Sequence, residues 1–265
     1  MRKLLSLFFA AALALPLLAQ AAGLTLTGTL RDFNAYNTVY NGVAGHVDFE
    51  NPCCGMDFGI AASLLGPDGK PVFSGSPHWS VQSAASFYQW YHDDLSVNRT
   101  GSVSITLDDI GGGLYQFSSG NFFPADGILL NQPSCCGHNY GFTTEFHTTF
   151  GYSAANNDTF SFVGDDDVFV FINGQLAIDL GGVHGPAGGS VSLNAIAASY
   201  GLVNGNNYSL DVFQAERHTV GSNFTMTTSL QLVTTPPNGL PEPASLGLAA
   251  AGLLAAAAAA RRRRV

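Results

Sequence analysis

Apolar and polar positions alternate with a period of two along most of the chain. Leu24, Leu26 and Leu30 are interleaved with threonines and Gly28, and Val103, Ile105 and Leu107 with Ser104 and Thr106. Tyr208, Leu210 and Val212 alternate with Ser209 and Asp211. Phe224, Met226, Leu230 and Leu232 share one face of what reads as a single strand. This pattern predicts strands with one packed and one wet face, as in antiparallel sheets. The sharpest local signal is Val168-Phe169-Val170-Phe171-Ile172, then Asn173-Gly174, then Gln175 to Asp179. Asn-Gly supplies both positive φ angles of a type I′ turn, so a hairpin is expected. The unbroken apolar run on its first arm predicts a strand covered on both faces. Phe160 to Val163 reads as a strand, and Asn194 to Tyr200 as a short helix or turn. Helical periodicity is otherwise scarce, and the expected fold is all-β, an antiparallel sandwich.

The pattern breaks at both ends. Met1-Arg2-Lys3, an apolar Leu4 to Leu18 and the small-x-small triplet Ala19-Gln20-Ala21 have the layout of a secretory signal cut by signal peptidase, residues 1–21. At the other end, Pro241-Glu242-Pro243 precedes an apolar run from Ala244 to Ala260 and the cluster Arg261, Arg262, Arg263 and Arg264. Such a run is at the short limit for crossing a bilayer, and the arginines favour the cytoplasmic side. This three-part order resembles the PEP-CTERM sorting tail of Gram-negative bacteria. The resemblance implies a transient membrane helix, removal of the tail by an exosortase, and a producer of extracellular polysaccharide. The expected organisation is a signal peptide (1–21), a β-sandwich domain (22–233), a linker with the Pro-Glu-Pro motif (234–243) and a transmembrane sorting helix with its basic cluster (244–265).

Between the tails the charge is strongly acidic. Only Arg31, Lys70, Arg99 and Arg217 face 18 of the 19 acids. Phosphate backbones need a basic face, so a nucleic-acid partner is not expected. The cysteines form two adjacent pairs, Cys53-Cys54 and Cys135-Cys136. An exported chain can oxidise them, and adjacent cysteines lack the usual zinc-knuckle gap. We expect one or two disulfides linking the 53/54 region to the 135/136 region, with connectivity open.

The densest chemistry is Gly164-Asp165-Asp166-Asp167, between two apolar strands. Three adjacent carboxylates repel one another unless they are solvated, protonated or neutralised. Calcium, which takes six to eight oxygens, is one way to neutralise them.

The stretch from Gly164 to Gly185 resembles the signature of the fibro-slime domain. Matching pieces in order are Arg31-Asp32-Phe33, His46 to Glu50, Trp90-Tyr91, Phe122-Phe123-Pro124, His138-Asn139-Tyr140, Phe213 to His218 and Ser222-Asn223-Phe224. That domain is similar to the β-sandwich superfamily named after the N-terminal part of anthrax protective antigen, which includes yeast flocculins. The resemblance implies that two adjacent aspartates joined by a cis peptide hold calcium, which binds sugar hydroxyls. Asp165 and Asp166 match those positions. Asp167 stands where many members have glycine, so which two of the three carboxylates face the ion stays open. Further ligands implied are backbone carbonyls and an Asn from a neighbouring loop. Gly182, His184, Glu216, Arg217 and His218 are candidates to flank the site, against plain structural roles for the histidines and an ion pair for Arg217. Asp179 reads as a strand-end cap. Trp79, Trp90, Tyr91 and Tyr140 could stack on sugar rings, but most aromatics of a sandwich are core.

These readings predict an exported, calcium-dependent glycan-binding or adhesion module of the cell envelope or extracellular matrix. The alternative is a structural matrix protein in which calcium only rigidifies the fold. An enzyme is not expected. Asp93-Asp94 and Asp108-Asp109 are adjacent rather than opposed across a cleft, and neither a Gly-x-Ser-x-Gly elbow nor a His-Glu-x-x-His helix is present.

Overall fold

The computed structural model describes residues 23–36, 38–50, 52–132 and 137–233. The expected signal peptide with Ala19 and Ala21, the sorting tail with Pro241, Glu242, Pro243 and the terminal arginines, and Cys135 and Cys136 lie outside the described residues. Among the described residues no helix is long and apolar enough to cross a membrane.

The elements in chain order are β1 (Leu24–Phe33), β2 (Gly55–Met56), α1 (Ala84–Trp90), β3 (Asn98–Gly111), β4 (Leu114–Ser119), β5 (Phe142–Gly151), β6 (Thr159–Gly164) and β7 (Asp167–Ile172). There follow β8 (Gln175–Leu180), β9 (Gly182–Val183), β10 (Ala187–Ser192), α2 (Leu193–Ile196), β11 (Asn207–Glu216), β12 (Phe224–Thr228) and β13 (Gln231–Leu232). The pairing order is β10-β6-β12-β4-β3-β1-β5-β11-β7-β8, all antiparallel, with β13 added to β5. The long β3 turns the corner. Its first ten residues pair with β1, and its end pairs with β4. The two ends of the order, β8 and β10, come together, so the sandwich is nearly closed.

The alternating residues identified in the sequence point inward. Leu30, Leu107, Phe146, Phe162, Val170, Val212, Phe224 and Met226 fill the core between the two faces. Each large apolar side chain removed from water contributes roughly 1.5–3 kcal/mol. The hairpin turns on Asn173 (φ 51) and Gly174 (φ 71), as type I′ requires. Every residue of β7 is buried, because a second core covers its other face. There Phe169 and Phe171 meet Phe33, Phe49, Phe87, Trp90, Tyr91 and Phe213. The second core is supplied by the irregular segment 34–97 and by α1, which opens on a capping box between Ser83 and Ser86. Trp90, Tyr91 and Tyr140 are buried in the fold, while Trp79 remains half exposed.

One expectation is corrected. The run from Phe224 to Leu232 is two strands: β12 pairs with β4 and β6, and β13 crosses to β5. Its apolar residues keep facing the core as the chain changes sheets, so periodicity alone does not reveal the break. Cys53 and Cys54 are neighbours at the cleft end of the domain, and their expected partners Cys135 and Cys136 lie outside the described residues.

Candidate functional site

The turn from β6 to β7 carries the three aspartates to one end of the sandwich, where four distant segments meet it. The Asp165–Asp166 peptide is cis, as the resemblance implied. Asp165 accepts hydrogen bonds from the backbone N–H and the side-chain amide of Asn223, the latter at 2.8 Å. Asp166 accepts from the N–H of His184 at 3.0 Å on one oxygen, and from those of Arg217 and His218 at 3.0 and 3.1 Å on the other. Gly182 donates to Asp167 at 2.6 Å. Its φ of +118° suits glycine alone, and a Cβ there would run into the carbonyl of Gly55.

Asp167 is held by donors of the chain itself. It is fully buried, and Arg217 grips it twice, Nε to Oδ2 at 2.6 Å and an Nη to Oδ1 at 3.0 Å. The guanidinium also donates to the carbonyls of Asp48 and Ser80 at 2.9 and 2.7 Å and lies 4.4 Å from the Trp90 ring centroid. Arg217 is therefore an internal clamp between the acidic turn and the second core. Glu216 is equally buried, and the charges of Asp166 and Asp165 act on it. Among the described residues neither carboxylate oxygen has a hydrogen bond of good geometry, although the Ser222 hydroxyl is near enough to favour its charged form. The ring nitrogens of His184 lie 2.7 and 3.0 Å from the carbonyls of Gly185 and Leu180, which hold the ring in place. His218 contacts the carbonyl of Thr219. Asp179 caps its strand end, accepting from Gly59 and Gly181.

Burial sets the electrostatics. Desolvation, then the charge of Asp167, pushes the Asp166 carboxyl up to about 7. Desolvation also raises Asp165. It raises Glu216 well above the usual carboxylate range, helped by Asp166 and Asp165. Arg217 forms its ion pair with Asp167, and among the described residues these three acids form no ion pair of their own. A shallow cleft of about 170 Å³ opens over Asp166, lined by Cys54, His184, His218 and Val220. Uncompensated carboxyls and an amide suit a hard cation with oxygen ligands. Among the described residues, however, no three His, Cys, Asp or Glu side chains are already grouped as a metal cage. Asn223 is the site residue whose role sequence reasoning missed. It stood in the Ser222-Asn223-Phe224 match, but only folding brings it to Asp165.

A second charged group lies on the outer face of β1, β5 and β11. Glu145 is 2 % exposed and bridges Arg31 at 3.2 Å and Lys70 at 2.5 Å; against its desolvation, the His147 side chain first, then Arg31 and Lys70, bring it down to about 2. His147 is bonded to Asp211 at 2.8 Å and faces Glu145, and is raised to about 9. A histidine raised on folding stabilises below its unfolded value and loses that contribution as pH climbs through its folded value. The melting advantage of wild type over His147→Gln should therefore be full below 6.5 and vanish above about 9, as read by thermal denaturation across that range.

With this geometry in hand, comparison with known proteins is informative. Residues 132–244 match the family model of the PA14 domain. That segment contains the acidic turn, the β7–β8 hairpin, Glu216 to His218 and Asn223. Protein psiQ of Dictyostelium discoideum is 35% identical over 200 residues, covering 70% of this chain and 20% of psiQ. Protein psiD of the same organism is 36% identical over 190 residues, 66% of this chain and 36% of psiD. Protein psiC is 29% identical over 248 residues, 87% of this chain and 45% of psiC. The chain thus spans less than half the length of these relatives. A solved anti-sigma factor domain-containing protein overlaps 48% of this chain and 41% of its own at 16% identity and a TM-score of 0.31, which carries no argument. The acidic turn and the segments that gather round it are similar to a PA14 domain.

Proposed function

We propose that this chain is an exported, non-catalytic module of the PA14 type that binds glycans through the acidic end of the sandwich. The observation that carries the reading is the set of crowded carboxyls at Asp165, Asp166 and Glu216 beneath a solvent cleft, with the nearby arginine spent on Asp167. Asp165, Asp166 and the amide oxygen of Asn223 would hold a calcium ion. When bound, the ion supplies open coordination positions for vicinal sugar hydroxyls. The chain's own part is to fix these ligands: the N–H groups of His184, Arg217 and His218 orient Asp166, and Asn223 orients Asp165.

The finer reading is a fibro-slime module delivered to the envelope or matrix of a polysaccharide-producing Gram-negative bacterium. It is supported by the resemblance of residues 164–185 and by the tail residues Pro241 to Arg264. The relatives named above come from a different kind of organism and do not add to it. A second reading, a structural matrix protein without sugar affinity, draws on one observation. Every oxygen of Asp166 and Asp167 already has a protein donor, so the turn is well ordered by the chain alone.

Calorimetric titration with calcium, and thermal melts with calcium and with chelator, separate these readings. Wild type should bind saturably and melt higher with calcium, since a ligand that binds only the folded state stabilises by mass action. The double variant Asp165→Asn, Asp166→Asn should lose both effects. Calcium binding without retention on any glycan of an array supports the matrix reading. Identical melts in all conditions would reject the calcium site.

A further inference from the structure

The covering layer formed by segment 34–97 holds a cleft that the acidic end does not use. Helix α1 presents Ala84 and Tyr88 one turn apart, and His92 follows at the same spacing just past its end. Facing them is the tight turn Gly66-Pro67-Asp68-Gly69, closed by the Gly69 N–H on the Gly66 carbonyl at 2.9 Å. Between helix and turn lies a cleft of about 340 Å³ lined by Pro67, Asp68, Phe73, Phe87, Tyr88 and His92. Small-molecule sites occupy about 300–1,000 Å³. This cleft shares no lining residue with the one over Asp166.

The walls are fixed by the chain's own bonds. His92 lies flat against the Tyr88 ring, with centroids 3.5 Å apart and planes 12° apart. Its ring nitrogens lie 2.7 Å from the Tyr88 carbonyl and 2.8 Å from the Asp68 carboxylate. The other oxygen of Asp68 accepts the Lys70 N–H at 3.1 Å, and Lys70 Nζ reaches Glu145 at 2.5 Å. The turn is therefore pinned on one side to the end of α1 and on the other to β5. Phe73 and Phe87 make an apolar floor continuous with the second core. Tyr88, 57 % exposed, and the Asp68 side chain, 49 % exposed, stay open to solvent at the rim.

These groups select a chemistry. An apolar floor with an aromatic ring at its rim favours a ligand that has a flat apolar face. A carboxylate offers about four lone-pair sites, and the chain takes two of those of Asp68, so the rest accept from hydroxyl donors. The His92 ring already engages this carboxylate, so the cleft does not call for a cation, and the Asp68 charge repels an anion. A neutral pyranose carries both surfaces that remain, a C–H face for Tyr88 and hydroxyls for Asp68. We propose that the cleft between α1 and the Gly66–Gly69 turn is a second sugar subsite, which takes a neutral pyranose on Tyr88 and Asp68 and needs no metal ion. It goes beyond the calcium reading and does not rest on it. Two subsites let one module hold a polymer at two points, which raises avidity without tightening either contact.

NMR titration of the full chain in chelator, read at the His92 ring protons, tests this. The probes are the methyl glycosides of glucose, galactose and mannose, with glucuronate and glucosamine as charged counterparts at the same pH. At least one neutral glycoside should shift the His92 signals saturably, with a Kd of about 1–10 mM, and the charged sugars should not. The shift should persist in the Asp165→Asn, Asp166→Asn double variant, so a failed calcium site leaves this result standing. Tyr88→Ala should weaken binding at least about tenfold, while Tyr88→Phe keeps the aromatic face and should stay within about threefold of wild type. Both variants alter an exposed position and should melt with wild type. No shift with any neutral glycoside up to about 100 mM would overturn the inference. So would a shift that requires calcium, one undiminished in Tyr88→Ala, or a preference for glucuronate or glucosamine, which would make the cleft an ion site.

Discussion

Arg217→Ala is expected to cost about 3–5 kcal/mol of stability, because it leaves the fully buried Asp167 carboxylate without its counter-charge. The carbonyls of Asp48 and Ser80 lose their donor in the same step. Asp167→Ala should cost a comparable amount by stranding the guanidinium. Denaturant melts of the two single variants and the double variant measure the coupling. The double variant should be less destabilised than the sum of the singles, since removing both charges leaves no unpaired ion. The loss should be the same in calcium and in chelator. This separates Asp167 from Asp165 and Asp166, whose substitution should act through the cation. A loss of the Asp167→Ala effect in chelator would return Asp167 to the metal site.

The second large effect is expected at Trp90. Its ring is fully buried among Phe49, Phe87 and Tyr91, supports the Arg217 guanidinium, and donates from Nε1 to Asp48 at 3.1 Å. Trp90→Ala combines a cavity with an unmet acceptor and should cost about 3–5 kcal/mol. Trp90→Phe keeps an aromatic face for the guanidinium and should recover part of that. Thermal melts rank the two. Near-equal melting of wild type and Trp90→Ala would mean that the second core is not what keeps β7 covered. Sugar-dependent quenching of Trp90 fluorescence is not expected, because the ring has no solvent face.

The two predictions share a cause that the linear sequence could not display. Asp167 and Arg217 are 50 residues apart, and Asp48 is 169 residues from the arginine. An Asp-Asp-Asp run looks the same whether its third member binds a metal or an arginine. The fate of that carboxylate depends on which segment the fold brings across it. The same holds for Asn223, which lies 58 residues beyond Asp165. Segment 34–97 shows no periodicity because it packs as a covering layer of loops around the seven-residue α1, yet it supplies most of the second core.

What the sequence by itself determined is local in origin. Alternation told which face of β1, β3, β11 and β12 is buried, because successive side chains of a strand point to opposite sides. Asn173-Gly174 determined the hairpin, because few residues accept positive φ. The position of the acidic turn between two apolar strands was legible for the same reason. Tertiary structure alone decided that the run from Phe224 to Leu232 splits, β12 pairing with β4 and β6 and β13 with β5, and that Glu216 is buried beside Asp165 and Asp166 with no ion-pair partner among the described residues. Each of these depends on which distant segments share a boundary. Contacts across large sequence separations leave no period in the chain that makes them.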